Sequence, residues 1–301
     1  MDKKYFLKIA EELNIRTEQV INTVSLLDGG ATVPFISRYR KELTGSLDEV
    51  AVTAVRDRLV QLRELDKRRE TVLRSIEEQG KLTDELRQKI TDAETMSELE
   101  DLYLPYKPKR RTRAMIAREK GLEPLAKIIM AQKEHSLFSR AEAFIDEEKG
   151  VGTAEEALAG ARDIIAEWIN EHATARSRIR KLFTREAVLE SRVVKGKELD
   201  GKNYMTYYDW KEPVMKSPPH RVLAMLRGEA EGFLKLGIDP EKEKALEILD
   251  DLFLRDDSDE CAGQIQDAIS DCYSRLLQPS METEIRAMIK EKADEYSIKV
   301  F

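Results

Sequence analysis

Apolar residues recur at spacings of three and four along most of this chain. The clearest stripe runs through Leu47, Val50, Ala51, Ala54, Val55, Leu59, Leu62, Leu65, Val72, Leu73 and Ile76. It predicts one long helix with a single buried face, ended by Gly80. Ser46, Leu47, Asp48 and Glu49 have the spacing of a capping box at its start. The stripe lapses at residues 66–70, DKRRE, so this part of the helix is expected to project into water. Shorter periodic segments predict helices over residues 1–15, 17–28, 97–102, 112–120, 122–133, 139–149 and 153–171, and another behind Thr83. Four more are expected over 221–236, 240–254, 259–277 and 280–301, the last capped by Ser280 behind Pro279.

The period changes in one place only. Residues 187–194 and 204–210 predict strands, joined through a turn at 195–202, KGKELDGK. The fold class that follows is mainly all-α, an elongated multi-helix body with a small β-like insertion. Its expected divisions are a helical region over 1–186, the insertion over 187–216 and a second helical region over 217–301. The last stripe, Met281, Ile285, Met288, Ile289, Tyr296 and Val300, runs into Phe301 without a cap or polar tail. That pattern predicts a fragment whose helix continues toward a further domain.

Composition narrows the function. Charged residues make up 36% and aromatics 6% of the 301 residues, with a net charge of −7, a helix-rich profile. The apolar run at 125–131 is too short to span a bilayer. Cys261 and Cys272, if on one helix, lie about 16 Å apart, too far for a disulfide; a reduced, cytoplasmic compartment is expected. No phosphate-binding glycine loop occurs, and His135, His172 and His220 stand in unrelated contexts. His220 is expected to cap or pack locally. Asp257-Ser-Asp259 resembles the start of a calcium loop, but Ala262 and Ala268 stand where glycine and glutamate are needed. Gly150-Val-Gly152 is expected to be a helix stop before a capping box at Thr153–Glu156 rather than a phosphate-binding hairpin. No metal, cofactor or catalytic residue is expected, and the chain is not expected to be an enzyme.

The most informative stretch is residues 101–113, DLYLPYKPKRRTR. Lys107, Lys109, Arg110, Arg111 and Arg113 follow Tyr103 and Tyr106, and no acid interrupts residues 102–118. Pro105 and Pro108 forbid a helix through this stretch and bias the residues before them toward extended backbone. An extended basic strap with interleaved rings suits a phosphate backbone or an acidic protein groove; the same residues also suit a crossing segment that pins helices together. Arg38, Arg40 and Lys41, within FISRYRK, form a second candidate group. Arg176, Arg178 and Arg180 cannot all share one narrow helix face, since alternate residues point about 200° apart. The long helix, with seven basic and eight acidic residues, is expected to be salt-bridged and solvated.

Four stretches carry a resemblance: GATVPFISRYRKELTGSLDE from Gly30, DLYLPYKPKRRT from Asp101, AREKGLEPLA from Ala117 and SPPHRVLAMLRGEAEG from Ser217. In order and spacing they resemble the bacterial Tex family of transcription accessory proteins. The resemblance implies an N-terminal helical region with a helix-turn-helix-like element. It also implies a non-catalytic ribonuclease-H-like domain, helix-hairpin-helix motifs and an OB-type RNA-binding domain, all beyond Phe301. The implied function is a scaffold that acts by nucleic-acid and protein binding, its RNA or DNA affinity weak in this segment. The alternative is a pure interaction module docking on RNA polymerase or ribosome-associated proteins.

Overall fold

The computed structural model describes residues 2–134, 136–255 and 260–300. His135, the Asp257–Asp259 segment and Phe301 lie outside them. The chain divides into two compact units, Met1–Tyr106 and Lys107–Phe301.

The first unit is built from α1 (Asp2–Leu13), α2 (Thr17–Asp28), α3 (Val33–Tyr39), α4 (Lys41–Thr44), α5 (Glu49–Glu78), α6 (Asp84–Asp92) and α7 (Met96–Tyr103). The long stripe organises it. Val55, Leu59 and Leu62 of α5 bury Ile9, Val20 and Val24 of α1 and α2, and Val52 joins Val33, Ile36 and Leu47. Farther along, Leu65, Val72 and Ile76 meet Ile90, Leu99 and Tyr103 of α6 and α7.

Two local expectations are corrected here. The cap of α5 is Asp48, which accepts from the Ala51 amide at 2.8 Å. Ser46 sits at φ 64° directly after Gly45 at φ 62°, so the chain is still turning there and cannot start the helix. Residues 66–70 are only partly left to water: Lys67 and Glu70 are exposed, whereas Asp66, Arg68 and Arg69 are half-buried. Arg69 donates to the carbonyls of Ile90 (3.1 Å) and Ala93 (2.8 Å), which are the open end of α6. Arg68 pairs with Glu100 of α7 at 2.5 Å. The apolar stripe lapses because α6 and α7 are fastened at this point by arginines rather than by aliphatic side chains.

The second unit contains α8 (Arg113–Glu119), α9 (Glu123–Ala131), α10 (Leu137–Glu142), α11 (Ala154–Glu171), α12 (Ala173–Glu186), α13 (Pro219–Ala230), α14 (Lys242–Phe253), α15 (Glu260–Cys272) and α16 (Gln278–Val300). The α11 helix is central. Ala157, Ala161, Ile164, Ile165 and Ile169 are fully buried, and α8, α9, α10 and α15 pack around it. Its start is as expected: Thr153 accepts from the Glu156 amide at 3.1 Å, and Gly150 turns the chain at φ 73°.

A three-stranded antiparallel sheet interrupts the helices, with β1 (Val188–Val193) between β2 (Asp209–Pro213) and β3 (Leu234–Asp239). The first expected strand is β1. The second begins later than expected, because residues 202–207 wind into a 3₁₀ turn. The third stands where the pattern predicted the end of a helix. Gly232, at φ 78°, reverses the chain after α13, and Leu234, Leu236 and Ile238 then alternate inward. A π-helical turn, Tyr273–Leu277, makes α15 run on into α16. Ser280 therefore caps nothing; its hydroxyl accepts from Arg176 at 3.0 Å.

Gly160 marks the closest approach in this unit. A Cβ there would collide with Leu122 Cδ1 and lie 3.5 Å from Ala117 Cβ. In an open helix, Gly→Ala gains about 0.5–1 kcal/mol. Here Gly160→Ala is expected to lose about 1–3 kcal/mol by overpacking. Urea unfolding reads the sign directly, and a stabilised variant would contradict the packing.

Candidate nucleic-acid interface

The sequence strap has two halves with different structural lives. Residues 101–106 belong to the first unit. Asp101 and Tyr103 lie in the last turn of α7, and Leu104–Tyr106 form a 3₁₀ turn that carries Pro105. The expected extended strap is therefore corrected to residues 107–112, the only part of the motif outside a helical turn before α8. Tyr103 is buried; its hydroxyl lies 3.0 Å from Ser75 Oγ, and the Arg68 guanidinium sits 5.3 Å from its ring centre. Tyr106 is half-buried against the same cluster, and its carbonyl accepts from Gln79 at 3.0 Å. Both tyrosines are thus packing residues in this unit, so the rings of the motif are committed to the fold.

The basic half belongs to the second unit and sorts its cations by position. Lys109 turns inward onto α11, forming an ion pair with Glu171 and lying 3.4 Å from Glu167. Thr112, the cap of α8, donates its hydroxyl to Glu167 at 2.9 Å, and Arg118 donates to the same carboxylate at 2.7 Å. Desolvation alone would raise the Glu167 carboxyl. The Arg118 hydrogen bond, the Lys109 charge and the Thr112 hydroxyl outweigh it and hold the group below its ordinary value. Glu171, one turn on, goes the other way, because desolvation exceeds what Lys109 offsets. Arg111 forms a surface pair with Glu119 at 2.6 Å. Arg113 opens α8 on an exposed position. Lys107 and Arg110 are exposed, and among the described residues no hydrogen bond or ion pair engages either side chain.

The second candidate group surrounds α3. Val33, Ile36 and Ser37 face the core, so Phe35, Arg38 and Tyr39 fall on the outer side. Thr32 caps the helix, accepting from the Phe35 amide at 3.4 Å. Arg40 closes it; its Nη1 donates to the Tyr39 carbonyl at 3.0 Å and its guanidinium lies 5.0 Å from the Phe35 ring centre. Arg38 and Lys41 are exposed, with no ion pair among the described residues. Sequence reasoning offered the cations here as the candidate group and did not pair Tyr39 with Phe35. Phe35 and Tyr39 are 40% and 63% exposed, with ring centres 5.5 Å apart. Their spacing of four residues was the available signal.

The arginines of α12 divide as helix geometry requires. Arg176 and Arg180 turn inward to Ser280 and Glu284 of α16, whereas Arg178, Lys181 and Arg185 face outward. His172 caps α12, its Nδ1 accepting from the Ala175 amide at 3.3 Å. His220 is exposed in the first turn of α13, where Pro218 holds the cap position. Cys261 and Cys272 are both buried free thiols on α15. Among the described residues no helix is long and apolar enough to cross a membrane.

This is a mainly helical protein with a small sheet and groups of exposed cations on both units. A family model described as Tex central region-like matches residues 132–301, and one described as Tex-like protein N-terminal domain matches residues 3–77. The chain belongs to the Tex family. It is 40% identical to the transcriptional accessory protein Tex of Neisseria gonorrhoeae, over 97% of this chain and 39% of that protein. With the protein tex of Bordetella pertussis the identity is 42%, over 98% of this chain and 39% of the relative. Human S1 RNA-binding domain-containing protein 1 is 27% identical, over 97% of this chain and 31% of that protein. The chain thus spans about two-fifths of the length of the bacterial relatives it matches.

Proposed function

We propose that this region acts by binding rather than by catalysis, as the helical N-terminal part of a transcription accessory protein that touches nucleic-acid phosphates through the strap. The observation that carries this reading is the division of labour within the motif. Lys109 is used up by Glu167 and Glu171, while Lys107 and Arg110 stay exposed and unpaired beside it. Exposed and with no acid paired to them among the described residues, these two cations are the ones open to phosphate oxygens. Arg38, Arg40 and Lys41 add a second cationic group in the first unit. The printed name of the human relative supports RNA as a ligand of the longer protein. We read α2 and α3, two helices joined by residues 29–32, as the candidate for the helix-turn-helix-like element. The net charge of −7 confines attraction to local patches and keeps the expected affinity weak.

Salt dependence tests it. Each phosphate contact on duplex DNA contributes about 0.9 unit to the slope of log K against log salt. Lys107→Ala with Arg110→Ala is expected to flatten that slope by about 1.8 units with the melting temperature unchanged. Lys109→Ala is expected to lower the melting temperature and leave the slope alone. A double variant with the parental affinity and slope would remove the strap from the interface.

A further inference from the structure

We propose that the outer face of α3 is a stacking platform for unpaired bases of a single-stranded nucleic acid. Phe35 and Tyr39 form the ring pair, and Arg38, Arg40 and Lys41 hold the flanking phosphates. The proposal rests on the nucleic-acid reading for its ligand class, but it concerns a different unit and a different kind of contact.

Two large rings stand side by side in water at positions i and i+4 of one short helix, on the side opposite Val33, Ile36 and Ser37. Rings left open this way are poor solvent partners and good stacking partners. The Arg40 guanidinium, held by the Tyr39 carbonyl, already lies over the Phe35 ring. The rings are inclined 45° to one another, so Arg40 covers Phe35 and the more exposed Tyr39 ring is the face left for a base. Charge then selects the occupant. Arg38, Arg40 and Lys41 fall within four consecutive residues, Glu42 is the one acid adjoining them, and no ion pair neutralises them among the described residues. An apolar protein groove would be expected to meet rings without this cationic rim. A duplex keeps its bases stacked internally and offers the rings no face, so the platform discriminates between strands by structure rather than by sequence.

The test is fluorescence anisotropy of this chain with three labelled probes: a short oligothymidylate, a duplex of the same length and an abasic strand of the same length. The intact chain is expected to bind oligothymidylate more tightly than the abasic strand. Stacking on an aromatic side chain is worth about 5- to 160-fold in affinity per base, so Tyr39→Ala should erase most of that preference. Abasic affinity and melting temperature should stay put, because the ring is exposed. Tyr39→Trp, which keeps a stacking face, should retain the preference. Arg38→Ala with Lys41→Ala should instead flatten the salt slope for all three probes. Suppose Tyr39→Ala binds oligothymidylate as the parent does, while Lys107→Ala with Arg110→Ala weakens it. The platform is then overturned and the strap reading survives. A chain that ignores every probe overturns both. A chain that ignores the probes but binds an acidic peptide through Tyr39 assigns this face to a protein partner, which also overturns the platform.

Discussion

Tyr273→Ala is expected to be among the most damaging single changes in the second unit, costing about 3–5 kcal/mol for the buried ring. Tyr273 is 1% exposed and opens the π-helical turn between α15 and α16. Its hydroxyl donates to Asp239 Oδ1 at 2.6 Å, at the end of β3. Two neighbours reinforce this junction: Glu282 accepts from the Ile238 amide at 3.2 Å, and Arg286 donates to the Leu236 carbonyl at 3.1 Å. Losing the ring therefore opens a cavity and removes one of these three ties between β3 and the α15–α16 helix. Tyr273→Phe separates the two contributions. It keeps the ring and should cost about 1–2 kcal/mol at neutral pH for the lost charge-assisted hydrogen bond. Desolvation raises the Asp239 carboxyl, with the Tyr273 hydroxyl opposing and the Glu282 charge adding to it. Without the hydroxyl that carboxylate is still harder to keep charged. The Phe penalty is then full above the raised folded pKa and shrinks as pH falls through it. Urea unfolding at several pH values reads both effects, and a Tyr273→Ala loss below about 1 kcal/mol would refute the junction.

Much of this architecture was legible along the chain because it is written in local periods and caps. The α5 stripe names the residues that bury α1, α2, α6 and α7, and Thr83 and Thr153 mark helix starts by their own side chains. β3 was lost for a physical reason. LKLGID is only six residues and follows a helix without a proline, so Gly232 looked like an interior glycine instead of a left-handed stop. Its inward alternation at Leu234, Leu236 and Ile238 was the signal to weigh.

The candidate site was legible as a composition and not as an arrangement. Nothing near Lys109 in sequence distinguishes it from Lys107. The difference lies on α11, sixty residues away, where Glu167 and Glu171 sit one turn apart. Tyr103 is likewise decided by Ser75 and Arg68 on α5. The α3 rings escaped because a seven-residue helix is too short for its period to declare which side is out.

Glu167→Ala is the change expected to move both the fold and the interface. One carboxylate on α11 receives the Thr112 hydroxyl, the Arg118 guanidinium and the approach of Lys109. Its removal leaves the Thr112 hydroxyl without its acceptor, while Lys109 keeps Glu171 and Arg118 keeps Glu123 at 3.7 Å. A fully buried pair broken in this way costs about 3–5 kcal/mol. Lys109 and Arg118 keep side-chain exposures of 23% and 29%, and water recovers part of that, so about 2–3 kcal/mol is expected. The pH dependence has a definite sign. Glu167 is held below its ordinary value in the fold, so its contribution is complete above the unfolded value, about 4.3, and is lost as pH falls through the folded one. The gap between parent and variant should therefore close as the solution is acidified. Glu171, raised by desolvation, takes its proton earlier and gives the parent the opposite slope at slightly higher pH. The same substitution loosens the tether on Lys109. If the strap meets phosphates, the variant should bind nucleic acid with a salt slope steeper by up to about one unit while its fold weakens. Stability falling as salt dependence rises is a pairing that general damage does not produce. A stability loss that is independent of pH would show that Glu167 is not the charged anchor of this segment.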